Sequence, residues 1–199
     1  MNNKNTNNNH SNSLLEPALK YLERGWSIIP VNSDKKPFNS LKWKTYQTKQ
    51  PDQETVRKWF QDPLVSGIAV VLGEISGNLM CRDFDIEGSY DDWAKAFPEL
   101  AEELPTAKTA RGYHVYFCSN AGTTQKLGDG ELRGGGGYVI LPPSKHNSGV
   151  VYKWVICPNE IIPEVNAAES GLTNTEYPTG RQGNRDAGKQ GHDSYNPVN

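Results

Sequence analysis

The chain reads as short apolar runs set between stretches whose apolar positions recur every three or four residues, with polar tails at both ends. Leu15, Ala18, Leu19 and Leu22 form one helical stripe; Ser13 and Glu16 stand ahead of it at capping-box spacing, and Gly25 is placed to end it. Residues 26–31 predict an apolar strand, followed by a basic turn at Lys35, Lys36 and Pro37. Asp52 can cap a second helix whose Val56, Trp59 and Phe60 face inward. Residues 67–72 and 79–86 predict strands on either side of a glycine-bounded turn, residues 89–97 a helix, and residues 113–118, 138–141 and 150–155 three further strands. Such a mixture argues for an α/β or α+β sheet with helices packed on it.

The 199 residues suffice for one domain with a sizeable core and are too few for two full-sized ones. Residues 1–13 are mostly Asn, Ser and Thr, and residues 166–199 carry few large aliphatics, so both are expected to stay as flexible tails around a folded unit at 14–165. No run approaches the roughly 20 apolar residues of a membrane span, and the N-terminus lacks an apolar signal segment, so a cytoplasmic location without a membrane partner is the default. Cys81, Cys118 and Cys157 are odd in number and show no paired spacing, which argues against a zinc site or a disulfide framework. A net charge of −2 means that any nucleic-acid contact must be local rather than a property of the whole surface.

The chemistry concentrates in three segments. In Leu79-Met80-Cys81-Arg82-Asp83-Phe84-Asp85 the strand period of two puts both aspartates on one face, with Cα atoms about 6.5–7 Å apart, close enough to share divalent cations. Two solvated acids at a strand end would look the same. In Gly112-Tyr113-His114-Val115-Tyr116-Phe117 the alternation turns His114 to the polar side, where it can meet a phosphate, a metal or a proton, or simply satisfy a structural bond. In Gly130-Glu131-Leu132-Arg133 the following run of glycines at 134–137 permits close backbone approach and offers amide donors, as a flexible hairpin also would. Pro142-Pro143 then stiffens the approach to Ser144, Lys145 and His146. The stretch 183–189 has phosphate-loop spacing, but Gln190 replaces the required Ser or Thr and no apolar strand precedes it.

Taken in order, these segments resemble the bifunctional primase-polymerase N-terminal domain of the archaeo-eukaryotic primase superfamily. The resemblance runs from the Gly25-Trp26-Ser27-Ile28-Ile29-Pro30-Val31 opening through Lys36-Pro37, Trp43 and the Trp59 helix, then Gly67 to Val70 and the Asp83-Phe84-Asp85 strand. It continues with His114-Val115-Tyr116-Phe117 and Arg133 to Ser144, and closes on His146, Gly149, Tyr152 and Trp154, covering roughly residues 14–165. It implies an α+β fold in which an RRM-like catalytic sheet and a second small α/β module share one cleft. Asp83 and Asp85 are implied as the acidic metal pair and His114 as the contact to the incoming triphosphate. Glu131 stands where the family's third acid, often Asp, is found, with Asp129 as a nearby substitute. Arg133, Ser144 and His146 fall in another nucleotide-facing segment, and Lys36, Arg111 or Lys145 would help to hold phosphate charge.

The implied activity is template-dependent primer synthesis and extension from NTP or dNTP on single-stranded DNA, with two Mg or Mn ions, in plasmid, phage or mobile-element replication. Larger relatives append a helicase, so either a separate replicative helicase is the implied partner or the chain is a truncated relative. Trp43, Tyr113, Tyr116 and Tyr138 are candidates to stack on bases. Two alternatives stay open: a module that binds nucleotide or single strands without polymerising, and a metal-dependent nuclease using the same acids and His.

Overall fold

A computed structural model describes residues 5–38, 40–120 and 122–177; the termini beyond them, including the phosphate-loop-like stretch at 183–189, lie outside the described residues. The architecture is mixed α+β with two antiparallel sheets. The first helix, α1 (Asn5–Glu23), runs through Ser13, so the helix starts earlier than the capping-box spacing predicts. Pro17 lies inside it and cannot donate to the Ser13 carbonyl, so the ladder is interrupted near the expected start. β1 (Ile28–Val31) follows, then a 3-10 turn at Trp43–Gln47 and α2 (Gln53–Trp59). Asp52 caps α2 as its sequence position predicts, accepting from the Thr55 N–H at 2.7 Å.

β2 (Gly67–Val71) pairs with β1 on one side and with β8 (Tyr138–Leu141) on the other, which completes a three-stranded sheet. The larger sheet is built around β3 (Leu79–Phe84), whose neighbours are β5 (Tyr113–Cys118) and β7 (Gly130–Arg133). β6 (Gln125–Leu127) extends it beyond β7, while β4 (Thr106–Lys108) and β9 (Lys153–Ile156) extend it beyond β5. Two helices, α3 (Ser89–Ala96) and α4 (Pro98–Glu103), cover its outer face. Among the described residues no helix is long and apolar enough to cross a membrane.

Alternation along β3 divides the core. Leu79 and Cys81 join Tyr116, Trp26, the α1 and α2 residues Ala18 and Val56, and the inner side chains of β1 and β2 in one cluster. Met80 and Phe84 turn the other way, onto Trp93, Leu104, Val115, Phe117 and Leu132. That side also receives Ala167 and Leu172, both buried, and the Trp93 indole N–H donates to the Ser170 carbonyl at 2.9 Å. Residues 166–177 therefore pack on the domain instead of beginning a flexible tail. Their mean composition is polar, but a few spaced apolar residues are enough to anchor a segment against a ready-made surface.

Two other differences from the sequence pattern have physical causes. β7 was not legible as a strand because Leu132 is its only large apolar residue; pairing with β3 on one edge and β6 on the other makes it one. β9 starts at Lys153, later than the apolar run at 150–155 predicts, and it pairs with β4 through an irregular register while Val150 and Val151 stay exposed.

Candidate active site

The register of the larger sheet brings the candidate residues together. Asp83 on β3 stands directly opposite His114 on β5 and directly opposite Glu131 on β7. Residues paired in this way project on the same face of a sheet, so three segments far apart in sequence present an acid, an imidazole and a second acid side by side. Arg133, two residues after Glu131, shares that face. Two glycines allow the neighbouring strands to close on the end of β3. A Cβ at Gly112 would stand 1.8 Å from the Phe84 carbonyl oxygen, and one at Gly130 would stand 2.0 Å from that of Asp83.

The polar contacts form a chain. His114 Nε2 lies 3.3 Å from Asp83 Oδ1, and Arg133 Nε lies 3.3 Å from Asp83 Oδ2 while its terminal nitrogen reaches Glu131 Oε2 at 2.7 Å. His114 Nδ1 meets the Tyr116 hydroxyl oxygen at 3.2 Å, and that hydroxyl donates to the Ile140 carbonyl at 3.3 Å. With the Tyr116 proton so committed, both His114 ring nitrogens face oxygen atoms. Burial by itself raises the Asp83 carboxyl, but the charges and hydrogen bonds of His114 and Arg133 outweigh it and bring the group down to about 2.

Asp85 lies just past the end of β3 and meets Arg111 at 3.0 Å. Arg111 is carried by a tight turn between β4 and β5 in which the Thr109 hydroxyl accepts from the N–H groups of Arg111 and Gly112. Asp83, Asp85, Arg111, His114 and Arg133 all line one cavity of about 430 Å³. Its opposite wall comes from the smaller sheet and the loops around it: Lys35, Trp43, Gly136, Gly137, Tyr138 and Ile140, with Tyr152 beside His114.

Not every sequence candidate reaches this cavity. Glu131 is turned to the same face but stands behind Arg133, outside the lining. Asp129 faces the other side of the sheet, where its carboxylate pairs with the buried guanidinium of Arg82, so it is no substitute for Glu131. Ser144 is buried, and its hydroxyl is taken up by β2, accepting from Ile68 N–H at 2.8 Å and donating to Ile68 O at 3.2 Å. His146 stands outside the lining; slight burial first, then the charges of Lys35 and Arg111, lower its pKa from 6.5. Lys36 is exposed and outside the lining, whereas its neighbour Lys35 lines the cavity. Of the four aromatic candidates, Trp43 and Tyr138 face the cavity and pack edge-on at 5.1 Å, Tyr116 is core, and Tyr113 stacks on Tyr90. Sequence reasoning missed Thr109 and Tyr152 as lining residues. Tyr152 sits in the apolar run at 150–155, where alternation could have singled it out only if the strand's register had been known.

Among the described residues, no group of three or more His, Cys, Asp or Glu side chains is already gathered closely enough to hold a metal ion. Asp83 and Asp85 nevertheless offer hard oxygen donors to the same cavity, and Glu131 adds a third beside Asp83. In kind the donors fit Mg or Mn. Each carboxylate is at present neutralised by one of two arginines, Arg111 and Arg133, the first largely and the second partly exposed.

The family model for the bifunctional DNA primase/polymerase, N-terminal, matches residues 18–166. No curated protein matches the chain.

Proposed function

Because the chain belongs to the bifunctional DNA primase/polymerase N-terminal family, we propose that it is a template-dependent nucleotidyltransferase that makes and extends primers on single-stranded DNA. The observation that carries this reading is the register that sets Asp83 between His114 and Glu131 at the edge of a cavity shared with Asp85. The six-stranded sheet takes the part of the RRM-like catalytic sheet, and the three-stranded sheet with its helices that of the second module. The catalytic unit runs from about residue 14 through the segment that packs behind β3, up to residue 177.

Asp83, Asp85 and Glu131 would hold two divalent ions, Mg or Mn, which when bound acidify the primer 3'-hydroxyl and neutralise phosphate charge. In the reaction the 3'-hydroxyl gives up its proton to water, its oxygen bonds to the α-phosphorus, the bond to the bridging oxygen breaks, and pyrophosphate leaves with the added negative charge. His114 and Arg111 stand at the cavity wall where that charge collects, and their N–H donors stabilise it once they turn from the carboxylates to the phosphates. Trp43 and Tyr138 offer an aromatic surface to the base or the template. The setting is replication of a plasmid, phage or mobile element.

Primer synthesis on a defined single-stranded circle, with Mg or Mn and with NTP and dNTP supplied separately, tests this directly. Incorporation is expected in the parent chain and should vanish in Asp83→Ala and Asp85→Ala; incorporation that survives both changes removes this site from the chemistry. A second reading, nucleotide or single-strand binding without polymerisation, is favoured by the pairing of every site carboxylate with a cationic side chain. Tight binding of labelled single strand without turnover would establish it. Shortening of the strand would instead indicate a nuclease.

A further inference from the structure

The cations around the cavity differ in what they are already bound to. Arg111 is paired with Asp85, Arg133 bridges Asp83 and Glu131, and His114 faces Asp83. Lys35 makes no ion pair with any described residue, although it lines the same cavity. It also arrives from the other side, on the turn that leaves β1 of the smaller sheet.

That turn is built to hold it. Lys35 has φ 61°, a left-handed conformation uncommon for a side chain of its size. The Asn32 side-chain oxygen accepts from the N–H groups of Asp34 and Lys36, and Asn32 and Lys36 also pair through their backbones at 3.0 Å. From β8 the Tyr138 hydroxyl donates to the Lys35 carbonyl at 3.2 Å, and the Lys35 ammonium stands 5.9 Å from the centre of the Tyr152 ring. Partial burial, then the nearby charge of Arg111, lowers its pKa from 10.5. An ammonium kept partly dry and beside another cation is costly until an anion meets it.

We propose that Lys35 anchors the phosphates of the incoming nucleoside triphosphate beyond the α-phosphate, so that the bound substrate spans from the smaller sheet to the acids of the larger one. The proposal rests on the reading of this cavity as the nucleotide site. Tyr138 acts through Lys35 as a positioning residue, and Lys36, exposed on the same turn, is a bystander.

Steady-state primer extension by the full chain, with nucleotide concentration varied, tests the assignment. Lys35→Met should raise KM for the nucleotide at least tenfold and leave kcat at saturation within about threefold, the pattern of lost binding that is uniform between ground and transition states. Lys35→Arg should recover much of the loss, Tyr138→Phe should raise KM a few-fold in the same direction, and Lys36→Met should stay within twofold. Competition by a non-hydrolysable triphosphate should weaken in Lys35→Met, while competition by the matching monophosphate should not. A KM unchanged in Lys35→Met, or equal losses for triphosphate and monophosphate, overturns the assignment while leaving an active parent chain and hence the polymerase reading intact. A parent chain that incorporates nothing overturns both.

Discussion

β3 carries an arginine–carboxylate pair on each face, one at the rim of a cavity and one sealed in the core. In front, Asp83 meets Arg133 and His114, and Arg133 is about a third exposed. Behind, Arg82 meets Asp129 with its guanidinium wholly buried, lies over the Phe84 ring at 4.1 Å, and donates to the Asp83 carbonyl at 2.7 Å and the Asn174 carbonyl at 3.5 Å. The Asp129 backbone carbonyl in turn accepts from the N–H groups of Asp85 and Ile86. The chemistry of the two pairs is alike, and burial separates their uses. Both carboxylates are about nine-tenths buried, so the difference lies in the arginines: Arg133 reaches solvent and can turn toward it, whereas Arg82 cannot leave Asp129 without stranding a buried charge. The sealed pair therefore holds still the backbone on which the open pair works.

The largest effect that would sharpen this contrast comes from the sealed side. Asp129→Ala should lower stability by about 3–5 kcal/mol, because it leaves the Arg82 guanidinium buried and uncompensated; a urea midpoint close to that of the parent chain would show that the pair does not hold the core. On the open side, Asp83→Asn should cut incorporation about a thousandfold, equivalent to about 4 kcal/mol of barrier, while moving the same urea midpoint less than Asp129→Ala does. Comparable stability losses from the two substitutions would erase the distinction between the faces.

Smaller is the acid response of the open pair. The Asp83 pKa falls from 3.8 unfolded to about 2 folded, so its contribution is complete above about pH 4 and is lost as pH drops through about 2. The amount is on the order of 2 kcal/mol, and it should be missing from the pH dependence of stability in Asp83→Asn. Smallest is Arg111→Ala: its partner Asp85 is partly exposed and Arg111 is itself 68% exposed, so stability should move by less than about 1 kcal/mol. A larger loss on thermal melting would mean that the turn before β5 depends on that side chain.

The local pattern of the chain was sufficient for β3, β5 and β8, for the Asp52 cap, and for the ordered motifs that mark the family, because each depends on alternation or spacing within a few residues. It also put Asp83 and His114 on polar strand faces before any pairing was known. Three matters were left to the tertiary structure. Glu131 rather than Asp129 joins Asp83 because β7 pairs with β3 in one register, and a neighbour two residues away has been turned to Arg82. Lys35 rather than Lys36 enters the cavity because a left-handed turn, tied by Tyr138 from another strand, decides which of two adjacent lysines points inward. Ser144 is spent on β2, and residues 166–177 fold back onto α3, through contacts with partners far away along the chain. Local sequence governs which way a side chain can face; which partner it then meets is a long-range property, set by how strands of distant origin are brought into register.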